Sequence, residues 1–348
     1  MDFRPKERYN LRVMKILIAT GIYPPRIGGP AQYAKNLKES FERAGHEVFM
    51  RTYGFEHYLP TGIRHLYFLI KIIAVSAKAD YIIALDTFSV GFPAVLVAKL
   101  LRKKIVIRTG GDFLWEGYVE RTKDLVLLKD FYSTTKEKWN WKERMIFKIT
   151  RWTLHNVSKL VFSTSWQEGI FSEAYDISKE KSVIIENFYG QKISNKPYLA
   201  KTFIVGTRPL AWKNIIMLKN VFQKISGENP EISLDDSIGS RDSFIQKIEN
   251  GYAVILVSLG DISPNMILDA ISCNKPFILT RENGIYERIK NIGIFVDPKN
   301  ENEIKEKVLW LADPNNYAVQ KKKIEAFSFT HSWEEIRDEF IKVYNQLI

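Results

Sequence analysis

The 348-residue chain carries 51 Lys and Arg against 40 Asp and Glu, a net charge of +11 with His neutral. Hydrophobic residues make up 45% and charged residues 26%, a balance that excludes a disordered or fibrous chain and leaves room for two domains. The single cysteine, Cys273, excludes an internal disulfide, and the most apolar stretch, residues 66–77, is interrupted by Lys71 and too short to span a bilayer.

Residues 1–13 are charged and lack the apolar core of a signal peptide, so a disordered lead is expected there. Lys15-Ile-Leu-Ile-Ala-Thr20 is a short β-branched run bounded by Gly21 and Pro24-Pro25, the pattern of a buried parallel strand. A helix over residues 31–44, ended by Gly45, and a strand over 47–53 complete the opening of a doubly wound sheet. Helices are expected at 63–78, 92–101, 141–157 and 165–174, with strands at 81–85, 104–108, 159–163 and 182–185. Between Asp112 and Lys138 lies an insertion rich in charge and aromatics. A polar linker with Gly190 follows at 187–198. A second alternating series has strands at 202–205, 231–234, 254–257 and 277–279, with a last edge at Ile294 and Val296. Its helices are expected at 214–224, 243–249, 264–272 and 301–312, and a final amphipathic helix at 333–348. The organisation is thus an α/β domain over 14–186, a linker, a second α/β domain over 199–330, and a closing segment, 331–348.

In open parallel α/β sheets ligands bind beyond the carboxyl ends of the strands, so the loops there hold the candidates. Gly28 and Gly29 follow the first strand and precede a helix. Residues without a Cβ let a ligand approach the backbone, and the helix start offers N–H groups to an anion; a plain turn is the other reading. The pair is not a GxGxxG fingerprint, which argues against NAD. Arg208 and Lys213 flank the loop after the first strand of the second half. They suit a diphosphate, Arg by bidentate bonds and Lys as a point charge, or else they are two solvated surface cations. The third loop runs into a helix for which Ser263 is the expected N-cap and Pro264 the first residue. Asn265 and Met266 follow at the anion-favouring end. Asp261 sits just before that cap and Asp269 about one and a half turns into the helix. A solvated loop acid and an exposed helix residue are the plainer readings of these two.

These residues resemble the retaining glycosyltransferases of family 4, which have the GT-B fold: two Rossmann-like parallel-sheet domains with an interdomain cleft. The likeness runs over nearly the whole chain from Met14. It is carried by Gly28-Gly29, Gly45-His46-Glu47-Val48, the Arg208-x4-Lys213 pair, and the acids Asp261 and Asp269. Further likeness lies in Lys275-Pro276, Asn283-Gly284-Ile285-Tyr286-Glu287 and the terminal helix at His331-Ser-Trp-Glu, which looks like one that crosses back onto the first domain. The resemblance implies transfer of a sugar from a nucleotide-diphosphate sugar to a glycan or lipid-linked acceptor. It implies that Arg208 and Lys213 meet the diphosphate, Asp261 the donor-sugar hydroxyls and Asp269 the ribose, with no cofactor and no metal required. Both acids depart from the family's Glu-x7-Glu, and the segment between Lys213 and Asp261 is shorter than usual. A catalytically inactive GT-B protein that binds sugar or serves as a scaffold is therefore the alternative.

In the first domain the stretch from Arg108 to Glu116 follows a strand end and should face the cleft, and its Gly110-Gly111-Asp112 stands where the family carries a His. Asp112 either takes part in sugar binding or caps the insertion. Asp86-Thr87-Phe88-Ser89 follows another strand end and is a candidate for the acceptor side. Trp115, Tyr118, Trp139 and Trp141 either stack on sugars or pack a lid. His46 is expected to be structural, its charge suiting a helix end, and Cys273 an inert buried thiol. No nucleic-acid-recognition motif accompanies the basic charge, so no nucleic-acid partner is expected. Arg64, Lys71 and Lys78 interleave with Leu66, Tyr67, Phe68 and Leu69, the pattern of an interfacial helix or of a core helix. The expected location is cytoplasmic, with peripheral contact at the inner face of an anionic membrane.

Overall fold

The computed structural model describes residues 13–26 and 28–348, so the expected lead lies outside the described residues apart from Val13. The first parallel sheet is built from β1 (Lys15–Thr20), β2 (Glu47–Thr52), β3 (Tyr81–Ala84), β4 (Lys104–Arg108), β5 (Lys159–Phe162) and β6 (Ser182–Ile184), in the order β2-β1-β3-β4-β5-β6. The second holds β7 (Lys201–Ile204), β8 (Ile232–Asp235), β9 (Ala253–Leu256), β10 (Phe277–Thr280) and β11 (Ile294–Val296), in the order β11-β10-β9-β7-β8. The inner strands are apolar throughout because they are buried on both faces; Ile16 to Ala19, Ile82, Ile83 and Val254 to Leu256 are all inaccessible or nearly so. In each sheet the second strand lies outside the first and the third lies on its other side. The order therefore reverses at β1/β3 and again at β7/β9, where loops leave a crevice at the strand ends.

The connecting helices are α1 (Gly29–Arg43), α2 (Thr61–Lys78), α3 (Gly91–Leu100), α4 (Phe113–Thr122), α5 (Leu128–Thr134), α6 (Trp141–Asn156) and α7 (Ser165–Tyr175) in the first half. The second half has α8 (Ile215–Glu228), α9 (Arg241–Asn250), α10 (Asn265–Ser272), α11 (Tyr286–Ile289), α12 (Glu301–Ala312), α13 (Pro314–Ala326) and α14 (Trp333–Asn345). Two compact units result. Unit 1 takes the described residues up to Thr109, with 152–161 and Trp333–Ile348; unit 2 takes Gly110–Arg151 and Phe162–Ser332.

In unit 1, α14 packs on α1: Ser40 Oγ donates to the Trp333 carbonyl at 2.8 Å, and the Tyr33 and Trp333 rings meet edge to face at 5.0 Å. His46 is buried with its Nδ1 accepting from the Met14 N–H. Burial, aided by Arg337, lowers its pKa, so its place at the helix end is structural but not that of the expected cation. In unit 2 the insertion is not an irregular lid. It folds as α4 and α5 against the strand ends of the second sheet: Leu128 N–H donates to the Leu259 carbonyl at 3.2 Å, and the Trp115 and Trp212 rings lie 5.4 Å apart. Gly260 permits this approach, since a Cβ there would stand 2.6 Å from Leu128 Cβ. The segment expected as a linker runs along unit 2, pinned by two ammonium groups. Lys192 donates to the carbonyls of Ile271 and Ile324, and Lys275 to those of Lys196 and Gly251. Burial lowers both lysines to about 8. Cys273 is buried, and burial pushes its thiol up to about 12, which fits an inert side chain.

Candidate functional site

The order reversal at β7/β9 brings together the two loops singled out in the second half. After β7 the chain turns through Arg208 to Lys213; after β9 it runs through Ser258 and Asp261. Lys213 Nζ lies 2.6 Å from Asp261 Oδ2, and its ammonium also sits over the Trp212 ring at 4.2 Å from the centroid. Ser258 Oγ contacts the same Asp261 oxygen at 3.4 Å. The Asp261 backbone is held in turn: its N–H donates to the Glu282 carbonyl and its carbonyl accepts from Gly284 N–H. Asp261 is therefore neither mobile nor merely solvated. Both side chains are mostly buried, 17% and 12% exposed, so their attraction is screened less than that of a surface pair. Arg208 is exposed.

One side chain completing this cluster lies in the stretch expected to face the cleft but is not singled out from it by the sequence. Glu116, on α4, approaches Lys213, Arg208, Asp112 and Asp261 closely enough to feel all four charges. Burial raises its pKa to about 7, the two cations pulling against it and the two carboxylates adding to it. Its carboxylate occupies the space over Gly111, where a Cβ would lie 2.2 Å from Oε1. One turn on, Glu120 Oε1 accepts the Ala211 N–H at 2.5 Å, which ties α4 to the Lys213 turn. Unit 2 thus presents two cations and three carboxylates, of which Glu116 has its pKa raised to about 7. Such a set can meet a diphosphate and exchange a proton at physiological pH.

The other expected residues divide. Asp269 is buried and its carboxylate pairs bidentately with Arg241, a residue that no motif points to. Burial raises its pKa and Arg241 opposes that rise. Arg241→Ala is expected to leave a buried charge without its partner and cost about 1–3 kcal/mol, read as a lowered midpoint in urea unfolding. An unchanged midpoint would show that the pair contributes nothing. Ser263 is not the helix cap. Pro264 occupies that position, α10 starts at Asn265, no side chain caps it, and Ser263 Oγ is buried without a partner. Proline has no side-chain acceptor and the chain turns at it, which displaces the serine one position upstream. Met266 Sδ accepts the Gly206 N–H at 3.1 Å, joining α10 to the end of β7.

Asp112 is the N-cap of α4. Its Oδ1 accepts from the N–H groups of Leu114 and Trp115, and its Oδ2 accepts from the Tyr132 hydroxyl at 2.7 Å. Trp115, Tyr118 and Trp139 are buried in packing, and of the four aromatics only Trp141 is strongly exposed, at 67%. Asp86, in unit 1, accepts the N–H groups of Phe88, Val90 and Gly91 with Oδ1 and so organises the start of α3. Gly28 and Gly29 also belong to unit 1. Gly28 caps α1 with φ +153°, a conformation that L-residues rarely adopt, and Gly29 is the first helical residue. A separate concavity of about 270 Å³ in unit 2 is lined by Ser163, Thr164, Gly284, Glu287 and Arg288 among others, next to the loop that pins Asp261.

No family model and no curated protein matches the sequence. The fold, however, has many solved counterparts. Sucrose-phosphate synthase from Thermosynechococcus elongatus superposes with a TM-score of 0.70 at 12% identity, over 96% of this chain and 99% of that one. Anabaena HepE in complex with UDP-glucose gives 0.66 at 13% identity, over 96% and 100%. The lipopolysaccharide outer core galactosyltransferase WaaB gives 0.60 at 14% identity, over 96% and 100%. With two parallel sheets of six and five strands and near-complete coverage of these enzymes, the chain has the GT-B fold.

Proposed function

We propose that the chain is a glycosyltransferase of the retaining family 4 type, using a nucleotide-diphosphate sugar as donor and a glycan or lipid-linked acceptor. The observation that carries this reading is the Lys213–Asp261 pair at the β7/β9 order reversal, with Glu116 against it. Lys213 and Arg208 supply fixed positive charge where the donor diphosphate leaves, and Lys213 retains donors beyond the one given to Asp261. Asp261, held by its backbone, offers its second oxygen to donor-sugar hydroxyls. Asp269 reaches the ribose by sharing or exchanging Arg241. The bond from the anomeric carbon to the diphosphate oxygen breaks, the acceptor oxygen bonds to that carbon from the same face, and the acceptor proton passes to the departing phosphate. The cations do this work without calling for a cofactor.

Solved proteins of this fold hold UDP and UDP-glucose, which makes uridine donors the first probes. A thermal-shift series with UDP-, GDP-, ADP- and dTDP-sugars is expected to raise the melting temperature with one nucleotide class. The double variant Arg208→Ala/Lys213→Ala should lose that rise. A rise that survives the double variant would place the diphosphate elsewhere. The engagement of both aspartates in ion pairs favours a second reading, an inactive sugar-binding protein of the same fold. Turnover with any donor that disappears in Asp261→Ala removes it.

A further inference from the structure

Unit 1 carries an apolar surface that the donor cluster does not use. On α2 the residues Ile63, Leu66, Tyr67 and Ile70 recur at helical spacing, and all are exposed, Ile70 at 63%. The same helix buries His65, Phe68, Ile72 and Ser76 on another face. A helix on the surface of a globular protein needs only one apolar face, so the outer one requires a separate explanation. Phe55 and Tyr58, on the turn just before α2, extend it: they are 61% and 79% exposed, and the Phe55 ring lies 6.3 Å from Tyr67. Exposed apolar side chains scattered singly are ordinary, but a contiguous group marks a contact surface.

The turn that presents these rings is built rather than loose. The Arg64 guanidinium donates to the carbonyls of Glu56, His57 and Leu59, and Lys71 donates to the Thr52 carbonyl and to the buried Glu56 carboxylate at 2.8 Å. Charge then selects the occupant. Residues 55–108 contain eight Lys or Arg, of which Arg108 is buried, and three acids, of which Glu56 is buried under Lys71 and Asp86 is turned inward onto backbone N–H groups. The α2 helix itself has no acid, and Lys103 Nζ sits at its carboxyl end on the Ala79 carbonyl. A second copy of the chain would oppose this surface with the same positive charge. A lipid surface with anionic headgroups complements both its features.

We propose that the α2 face of unit 1 docks on an anionic bilayer surface. The side chains of Phe55, Tyr58, Leu66, Tyr67 and Ile70 enter the boundary between headgroups and acyl chains, while the surrounding cations lie among the phosphates. Among the described residues no helix is long and apolar enough to cross a membrane, so the contact is peripheral. The inference is independent of the donor reading, and its test uses no nucleotide sugar.

The full chain is mixed with phosphatidylcholine vesicles with or without phosphatidylglycerol, and the bound fraction is measured by flotation. Binding to the phosphatidylglycerol vesicles, weakened by salt, is expected for the wild type, with much less on phosphatidylcholine alone. Leu66→Ser/Ile70→Ser should reduce partitioning by at least about tenfold, because each exposed aliphatic side chain loses its burial in lipid. Both positions are exposed, so the variant should keep the wild-type melting temperature, measured alongside. No binding to phosphatidylglycerol vesicles, equal binding to both compositions, or binding unchanged in the double variant would overturn the proposal. Self-association that is lost in the variant, without vesicle binding, would overturn it in favour of a second copy.

Discussion

Lys213→Ala and Asp261→Ala are each expected to lower turnover by about 10²–10³, and the double variant to be little worse than either single one. The reason is geometric. The ammonium and the carboxylate meet at 2.6 Å, both mostly buried, so each sets the local charge that the other works in. On the proposed assignment, removing Lys213 takes away the charge that meets the departing diphosphate and leaves Asp261 without its ion-pair partner. Removing Asp261 frees Lys213 to swing toward Glu116, so the cation is present but misplaced. Both losses fall on the same transition-state contact, and their free energies should not add. Fully additive effects would mean that the two residues act in separate places, and single effects of only twofold would sink the assignment. Arg208→Ala should cost less than Lys213→Ala because Arg208 is exposed and can be replaced in part by water and salt.

Much of the frame behind this prediction is legible in the sequence, for a definite physical reason. Strands buried on both faces must be apolar along their whole length, so Lys15–Thr20 and Lys104–Arg108 can be read to the residue. The loops after the strands expected at 202–205 and 254–257 follow in the same way, and with them Arg208, Lys213 and Asp261. Glu116 is legible in this way only as the end of a cleft-facing stretch, not as a member of the cluster. It stands in a stretch without clean periodicity, and its meaning depends on Gly111 leaving room and on Lys213, which is distant in the chain. Arg241 is hidden for the same reason: nothing in its own segment points to Asp269. α13 is not among the expected helices although its start is marked locally, by Asp313 as a cap and Pro314 in the first turn, with Asp313 Oδ1 accepting from Asn315 and Asn316. Asp112 shows the limit from the other side. Its place after β4 draws attention, yet its oxygens are taken up by the α4 cap and Tyr132.

Donor affinity is expected to fall as pH rises through about 7, approaching tenfold per pH unit at its steepest, and Glu116→Gln should abolish the slope. Glu116 in the folded protein titrates near 7, well above the ordinary 4.5, because it is buried and faces Asp112 and Asp261. A donor diphosphate brings further negative charge to Lys213, so binding favours the protonated, neutral form and takes up a proton as pH rises above 7. The same shift has a stability consequence of definite sign. Between 4.5 and 7 the folded state holds a proton that the unfolded chain has released, so the contribution of Glu116 to stability is lost as pH rises through that window. Gln keeps the shape and stays neutral, so the variant should bind donor at pH 8 as tightly as the wild type does at pH 6, with no dependence between. A nucleotide sugar is the right ligand for this measurement, because both of its phosphates are diesters and neither titrates near neutrality. His331, the one histidine of unit 2, sits against the Asn187 carbonyl rather than in the cluster, so it supplies no competing titration there. A wild-type affinity that is flat from pH 6 to 8 would separate Glu116 from the donor. A slope that persists in Glu116→Gln would assign the proton to another group. If kcat holds in Glu116→Gln, the departing phosphate takes the acceptor proton without Glu116, as expected for a carboxyl that donor binding keeps protonated.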